Sequence, residues 1–183
     1  MNEADILVSG ATGRTGGAAI DTLLGMGKRV RAYVRSDDER AAAMRQRGVD
    51  IAVGDFTDID HIRAAMEGIR SAYFLHPIAP RIIGATAYFA QAAKEAGVTA
   101  IVNMSQISAR RESKSHAAQD HWVSERVLDW SGVATTHLRP FSLTGSSTGG
   151  RRSGPRRRSN FPSRTGVTHR SARRTKDGSS PTS

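Results

Sequence analysis

Gly10, Gly13 and Gly16 stand three residues apart in the stretch SGATGRTGG. They follow the apolar run 6–9 directly, and Ile20, Leu23 and Leu24 sit at helical spacing within 14–26. Strand, glycine turn and helix in that order make an anion cradle, because unpaired backbone amides open the helix and its dipole favours negative charge. Gly10 permits the tight turn, Gly13 lets the backbone approach a pyrophosphate, and Gly16 lets the helix close onto the strand. The loop Gly10, Ala11, Thr12, Gly13, Arg14, Thr15 and Gly16 is therefore a candidate dinucleotide-binding turn. A glycine-rich turn without a ligand would hold the same residues, but the strand and helix flanking this one weigh against that reading.

The rest of the chain must build a frame for that turn. Apolar runs at 29–34, 49–53, 71–75, 98–104 and 134–138 read as further strands. Between them, 37–47, 58–67, 80–96 and about 115–130 read as helices, with Pro80 in the first turn of the third of these. Six strands alternating with five helices predict an α/β fold with a parallel sheet covered on both faces. Right-handed crossovers then make it a doubly wound, Rossmann-type sheet.

Charge divides the chain in two. The formal net charge is +10, yet residues 142–183 hold 10 of the 27 Lys and Arg and one of the 17 acids, so residues 1–141 carry a surplus of only one cation. Only Leu143, Phe161, Val167 and Ala172 are apolar in that tail, and no core face can be drawn. A domain over 1–141 followed by a disordered basic tail over 142–183 is expected. The Arg, Gly, Pro and Ser enrichment of the tail is what a GC-rich gene yields out of frame. Moved by one nucleotide, residues 142–149 decode with permitted synonymous choices as FADWLLYW, so the tail reads as frameshifted. A selected nucleic-acid arm is the alternative, but such arms interleave lysines and aromatics, whereas here Lys176 is the one lysine and Phe161 the one aromatic. The absence of cysteine excludes disulfides and thiolate chemistry. With no apolar run of membrane-spanning length and no signal-peptide pattern at the N-terminus, a cytoplasmic location and no membrane partner are expected.

Over residues 4–140 or so, the segments ILVSGATGRTG, VRAYVR, GDFTD, NMSQ and DWSGVATTHLRP together resemble the NmrA-like, atypical branch of the short-chain dehydrogenase superfamily, whose members bind NAD(P). The second strand decides which nucleotide fits. NAD sites place an acid at its end for the ribose 2′-hydroxyl, and here Arg35 stands there, followed by Ser36. A guanidinium matches a 2′-phosphate, with Arg14 as a second partner, so NADP is expected over NAD, although Asp37 and Asp38 follow closely. The resemblance implies that Asp55 and Phe56 border adenine. His76 and Pro77, at the end of the fourth strand, lie where the cofactor ribose crosses.

Typical members of the superfamily use Tyr-x-x-x-Lys, in which the cation lowers the phenol's pKa. Tyr33, Tyr73 and Tyr88 are followed four residues on by Asp37, Pro77 and Ala92, so the dyad is missing. The resemblance places His121 near the nicotinamide ribose, able to hydrogen-bond it or relay a proton, and Ser105 where the superfamily's serine orients a carbonyl. His116 and His121 lack a third ligand at metal spacing, so no metal is expected. Two functions follow: a reductase of a small carbonyl or quinone-type acceptor, or a non-catalytic NADP sensor acting through a protein partner. In relatives the LRP strand leads into a segment that closes over substrate. Its loss here predicts weakened cofactor retention and little turnover.

Overall fold

Leu7 and Val8 are adjacent, and neither exposes any surface. Successive side chains on a strand point to opposite faces, so β1 (Ile6–Ser9) must be covered on both sides. Val8 packs in one cluster with Val30, Ala32 and Val34 of β2 (Val30–Val34), Ile20 of α1 (Arg14–Gly25), and Ala41 and Met44 of α2 (Glu39–Gln46). Leu7 belongs to the other, with Phe74 of β4 (Ser71–Phe74), Ile62 and Met66 of α3 (Ile59–Met66), Phe89 of α4 (Ile82–Glu95) and Leu128 of α5 (His116–Trp130). Burying each such side chain fully is worth about 1.5–3 kcal/mol. Two helices on one face and three on the other thus follow from one strand that is apolar on both sides.

The computed structural model describes residues 4–140. Residues 142–183, on which the expected disordered tail and reading-frame slip fall, lie outside the described residues. With β3 (Asp50–Val53), β5 (Ala100–Met104) and β6 (Ala134–Leu138), the sheet has the order β3-β2-β1-β4-β5-β6, every pair parallel. Val8 of β1 lies opposite Ala32 on one side and Tyr73 on the other. The chain winds outward from β1 to β3, then returns to β4 at β1's free side, so the crevice of a doubly wound sheet opens above the ends of β1 and β4. Among the described residues, no helix is long and apolar enough to cross a membrane.

Most element boundaries move by one or two residues from those read off the sequence, and two of these shifts have a local cause. Pro80 does not enter the fourth helix: Arg81 takes a left-handed backbone conformation (φ 76°, ψ 7°), and α4 begins only at Ile82. The fifth strand starts at Ala100 rather than at 98, because Val98 N–H still donates to Ala93 O (2.9 Å) in the turn that closes α4.

The far edge of the sheet is fastened to α5 by polar groups. Asn103 Nδ2 donates to His137 Nδ1 (3.0 Å), leaving His137 Nε2 to donate to Asp129 Oδ1 (3.0 Å). Arg139, just past β6, grips both oxygens of Glu125 in a fork, its Nε at 2.8 Å from Oε1. The Glu125 side chain is wholly buried, whereas Arg139 is 41% exposed. Burial pushes the Glu125 carboxyl up, but the Arg139 fork overrides it and holds the group below the ordinary carboxylate range. A carboxylate with a depressed folded pKa contributes stability above its unfolded value, and that stability is lost as pH falls through the folded value.

Arg139→Ala is accordingly expected to cost about 3 kcal/mol at neutral pH, the low end for leaving a buried charge unpaired. Without the fork, burial of Glu125 is opposed only by the Ser105 hydroxyl, His137 and the more distant Arg126, so its pKa rises and the variant's deficit should shrink as pH falls toward the ordinary carboxylate range. Urea melts of both proteins at several pH values check this. A deficit independent of pH would mean that Glu125 does not carry the charge.

Candidate functional site

The crevice is set by Ser9 at the end of β1. Its hydroxyl accepts the Leu75 N–H (2.8 Å) and faces the carbonyls of Tyr73 (3.3 Å) and Leu75 (3.1 Å), pinning the exit of β4 beside the glycine turn. Gly10 then turns with φ +62°, and a Cβ there would meet Leu75 Cδ2 at 2.6 Å. Gly13 N–H donates to Gly10 O (2.9 Å). A Cβ on Gly16 would lie 2.2 Å from Gly10 O, closer than atoms approach, so α1 starts hard against the turn. The N-cap of α1 is Gly13, with no side-chain cap and no acid in the first turn. By contrast, Asp38 caps α2 and Asp58 caps α3 with their carboxylates. The opening amides of α1 face the crevice without a neutralising carboxylate, which suits an anion.

Two cavities flank this turn. The first, about 580 Å³, is lined by Gly10, Ala11 and Thr12 and by the ends of β2, β3 and β4, with Arg35, Ser36, Arg40, Asp55, Phe56, Thr57, His76, Pro77 and Arg81 among its walls. The second, about 360 Å³, is lined by Gly13, Arg14, Thr15 and Gly16 on one side and by His76, Pro77, Ser105, His121 and Pro140 on the others. Every sequence-nominated residue therefore borders one cavity or both. Arg14, however, stands in the second, apart from Arg35. The guanidinium that joins Arg35 is that of Arg40, which sequence reading passed over because it lies inside α2.

The acids that complicated the nucleotide choice are engaged elsewhere. Asp37 accepts both nitrogens of the Arg45 fork (2.8 and 2.7 Å). Asp38 accepts the Arg40 and Ala41 amides (3.0 and 3.2 Å) and the Arg40 guanidinium (2.6 Å). The guanidinium bonds hold both carboxyls below their usual range, and neither acid lines the first cavity. Asp55 accepts the N–H (2.8 Å) and hydroxyl (2.9 Å) of Thr57, which lower its pKa, and the α3 cap is Asp58 instead. Phe56 forms the cavity's aromatic floor, with ring centroids 5.0 Å from Tyr33, 5.7 Å from Phe74 and 5.3 Å from His76.

The imidazoles of the second cavity are uncharged at neutral pH. Burial lowers His76 and His121, and for His121 this outweighs the pull of Glu125 one turn on. His76 Nδ1 pairs with Pro77 O (2.8 Å). His121 is 5% exposed, and its Nε2 is buried with no partner among the described residues, whereas the buried Ser105 hydroxyl lies close enough to Glu125 to help lower that carboxyl's pKa. Burial also raises the phenols of Tyr33 and Tyr73, so neither is poised as an acid. Among the described residues, no cluster of His, Asp and Glu could hold a metal ion.

A family model described as NAD(P)H-binding matches residues 10–171. The chain is 30% identical to the NAD(P)H azoreductase of Xenophilus azovorans over 74% of its own length and 47% of that protein, and 31% identical to sterol demethylase protein B of Methylococcus capsulatus over 64% and 39%. It spans less than half the length of these relatives. Among solved structures it resembles the Citrobacter sp. triphenylmethane reductase complexed with NADP(H) (TM-score 0.66, 28% identity, 74% of this chain, 48% of that one). It also resembles an NADPH-dependent quinone oxidoreductase of Escherichia coli complexed with NADPH (TM-score 0.67, 27%, 73% and 48%).

The two neighbouring glycines of α1 give a direct test of the turn. Gly16→Ala forces backbone apart at Gly10 and is expected to cost at least about 2 kcal/mol, as overpacking does. Gly17→Ala, whose Cβ would make an ordinary 3.6 Å contact, should be neutral or stabilising by up to about 1 kcal/mol. Thermal melts of the two variants separate these outcomes, and equal midpoints would show that the turn yields.

Proposed function

The chain belongs to the NAD(P)H-binding family, in the NmrA-like branch of the atypical short-chain dehydrogenases, and from that premise we propose that it binds NADP(H) and serves as a reductase of a small carbonyl or quinone-type acceptor. One observation carries this reading: an uncapped helix start opens into a cavity lined by Arg35 and Ser36, with Asp37 drawn off by Arg45 and the Asp38 carboxylate, bonded to Arg40, outside the cavity wall. The residues fit the coenzyme. Amides from Gly10 to Gly16 would hold the pyrophosphate, since Gly16 packs too closely for any side chain. Arg35, with the Ser36 hydroxyl, would hold the 2′-phosphate beside the Arg40–Asp38 pair, while Asp55 and Phe56 would border adenine. His76, Pro77, Ser105 and His121 would border the nicotinamide end.

When bound, the reduced nicotinamide supplies a hydride. The protein's part is to position the acceptor and offer neutral hydrogen-bonding groups. His121 and Ser105 suit that part, because an imidazole kept uncharged by burial orients a polar atom without acting as a strong acid. The missing Tyr-x-x-x-Lys dyad also supports a second reading, an NADP sensor without turnover that acts through a protein partner. NADPH consumption across a panel of quinones and aldehydes separates the two, since the sensor would consume none while still binding coenzyme.

Arg35→Ala tests the coenzyme assignment. Losing charge-assisted bonds to the 2′-phosphate should weaken NADPH by about 1.5–3 kcal/mol, roughly tenfold to a hundredfold, and leave NADH nearly unchanged. Calorimetric titration with both coenzymes gives the comparison. Equal weakening of the two would move the 2′-phosphate site away from Arg35.

A further inference from the structure

β6 is an outermost strand of the sheet: it pairs with β5 on one side, and among the described residues nothing pairs with it on the other. The direction of its backbone groups follows from one bond. Leu138 O accepts the N–H of Ser105 (2.8 Å), which lies just past β5, so the backbone groups of Ala134, Thr136 and Leu138 face inward. By the alternation of a strand, those of Thr135 and His137 face outward, where no donor or acceptor among the described residues reaches them. The His137 ring is occupied on the α5 side by Asn103 and Asp129, so only its backbone is offered at the edge.

Edges of this kind are ordinarily guarded by a charge, a proline or a bulge. The opposite edge is guarded, because β3 opens on the half-exposed Asp50 beside Arg31. β6 reads Ala-Thr-Thr-His-Leu and holds no acid, lysine, arginine or proline. It is also complementary to itself. Laid antiparallel to a second copy about a two-fold axis at Thr136, it sets Thr135 opposite His137, so that the outward groups of both strands meet as hydrogen-bonded pairs. On the exposed face Thr136 then meets its own copy and Ala134 meets Leu138, which is 42% exposed. No charge stands opposite its like.

Residues 142–183 suit this edge poorly, since they hold ten cations, one acid and four apolar residues, and lack the run of β-branched and aromatic residues that a strand partner needs. Residues 1–141 carry a surplus of only one cation, so two such domains repel weakly. Antiparallel pairing also keeps the two Pro140 ends, from which the basic segments continue, at opposite ends of the paired strands. We propose that the outer edge of β6 is the interface at which two copies of this chain join, antiparallel and centred on Thr136, into one continuous sheet. The inference goes beyond the coenzyme and acceptor readings and needs neither. An edge of five residues spans about 17 Å and buries less than a standard interface, so the pairing is weak, with a Kd on the order of 10 μM. Arg139 and Pro140 follow β6 directly, so the pairing braces the wall of the second cavity.

Sedimentation velocity of the full chain from about 1 to about 100 μM should show a shift from one copy to two, since that range spans the expected Kd. Thr136→Lys sets like charges face to face and should lower the affinity at least about tenfold, as should Thr136→Glu. Mixing the two variants should restore the pair, because an antiparallel interface centred on residue 136 then sets opposite charges face to face. A chain that stays single over the whole range overturns the proposal. So does a pair that both variants keep, or one that the mixture fails to restore. Should either variant fail to fold, Thr135→Pro takes its place, removing one outward N–H while leaving the ladder to β5 intact. It should also lower the affinity at least about tenfold, and an unchanged pair overturns the proposal.

Discussion

The closeness of Gly16 to the carbonyl of Gly10 governs the rest of the crevice. With 2.2 Å between that oxygen and the place a Cβ would occupy, α1 can begin only where it does, directly over the end of β1. Its first amides then point into the gap where the strand order turns back from β1 to β4. Ser9 completes the constraint, because its hydroxyl ties the exit of β4 to the same point. The two cavities are the two sides of this one fixed turn, which explains why Gly10, Leu75, His76 and Pro77 border both.

Electrostatics separates those sides. On the first, Arg35 stands beside a wall of aromatic rings, while Asp37 is drawn off by Arg45 and Asp38 is held in the α2 cap against Arg40. On the second, burial keeps both imidazoles uncharged, and the His121 ring nitrogen lies buried without a partner among the described residues. Unmet buried polar groups cost free energy, so a site that tolerates them is one in which an incoming ligand can meet them. The first side thus offers charge, and the second a buried ring nitrogen and a closed shape.

Much of this was legible in the sequence because it depends on local pattern. Alternating apolar runs gave six strands and five helices, and the spacing of Gly10, Gly13 and Gly16 marked the turn before any contact was visible. What escaped depends on geometry that spacing does not encode. Pro80 looks like a helix opener, yet the left-handed Arg81 intervenes, and nothing about an arginine announces that conformation. Arg40 reads as a surface helix residue until the α2 cap swings it over the first cavity, whereas Arg14, adjacent in sequence to the glycines, is carried to the other side.

The second cavity also depends on the sheet's outer edge in a way the first does not. Gly10 through Phe56 are fixed by β1, β2 and β3 and their helices, whereas Ser105, His121 and Pro140 hang from β5, α5 and the end of β6. That second group is held in register by Glu125 and Arg139, one turn beyond His121 and one residue before Pro140. A shift of this ion pair would move the wall of the second cavity and leave the glycine turn untouched. The two halves of the crevice can therefore vary independently in this fold, because separate interactions hold them.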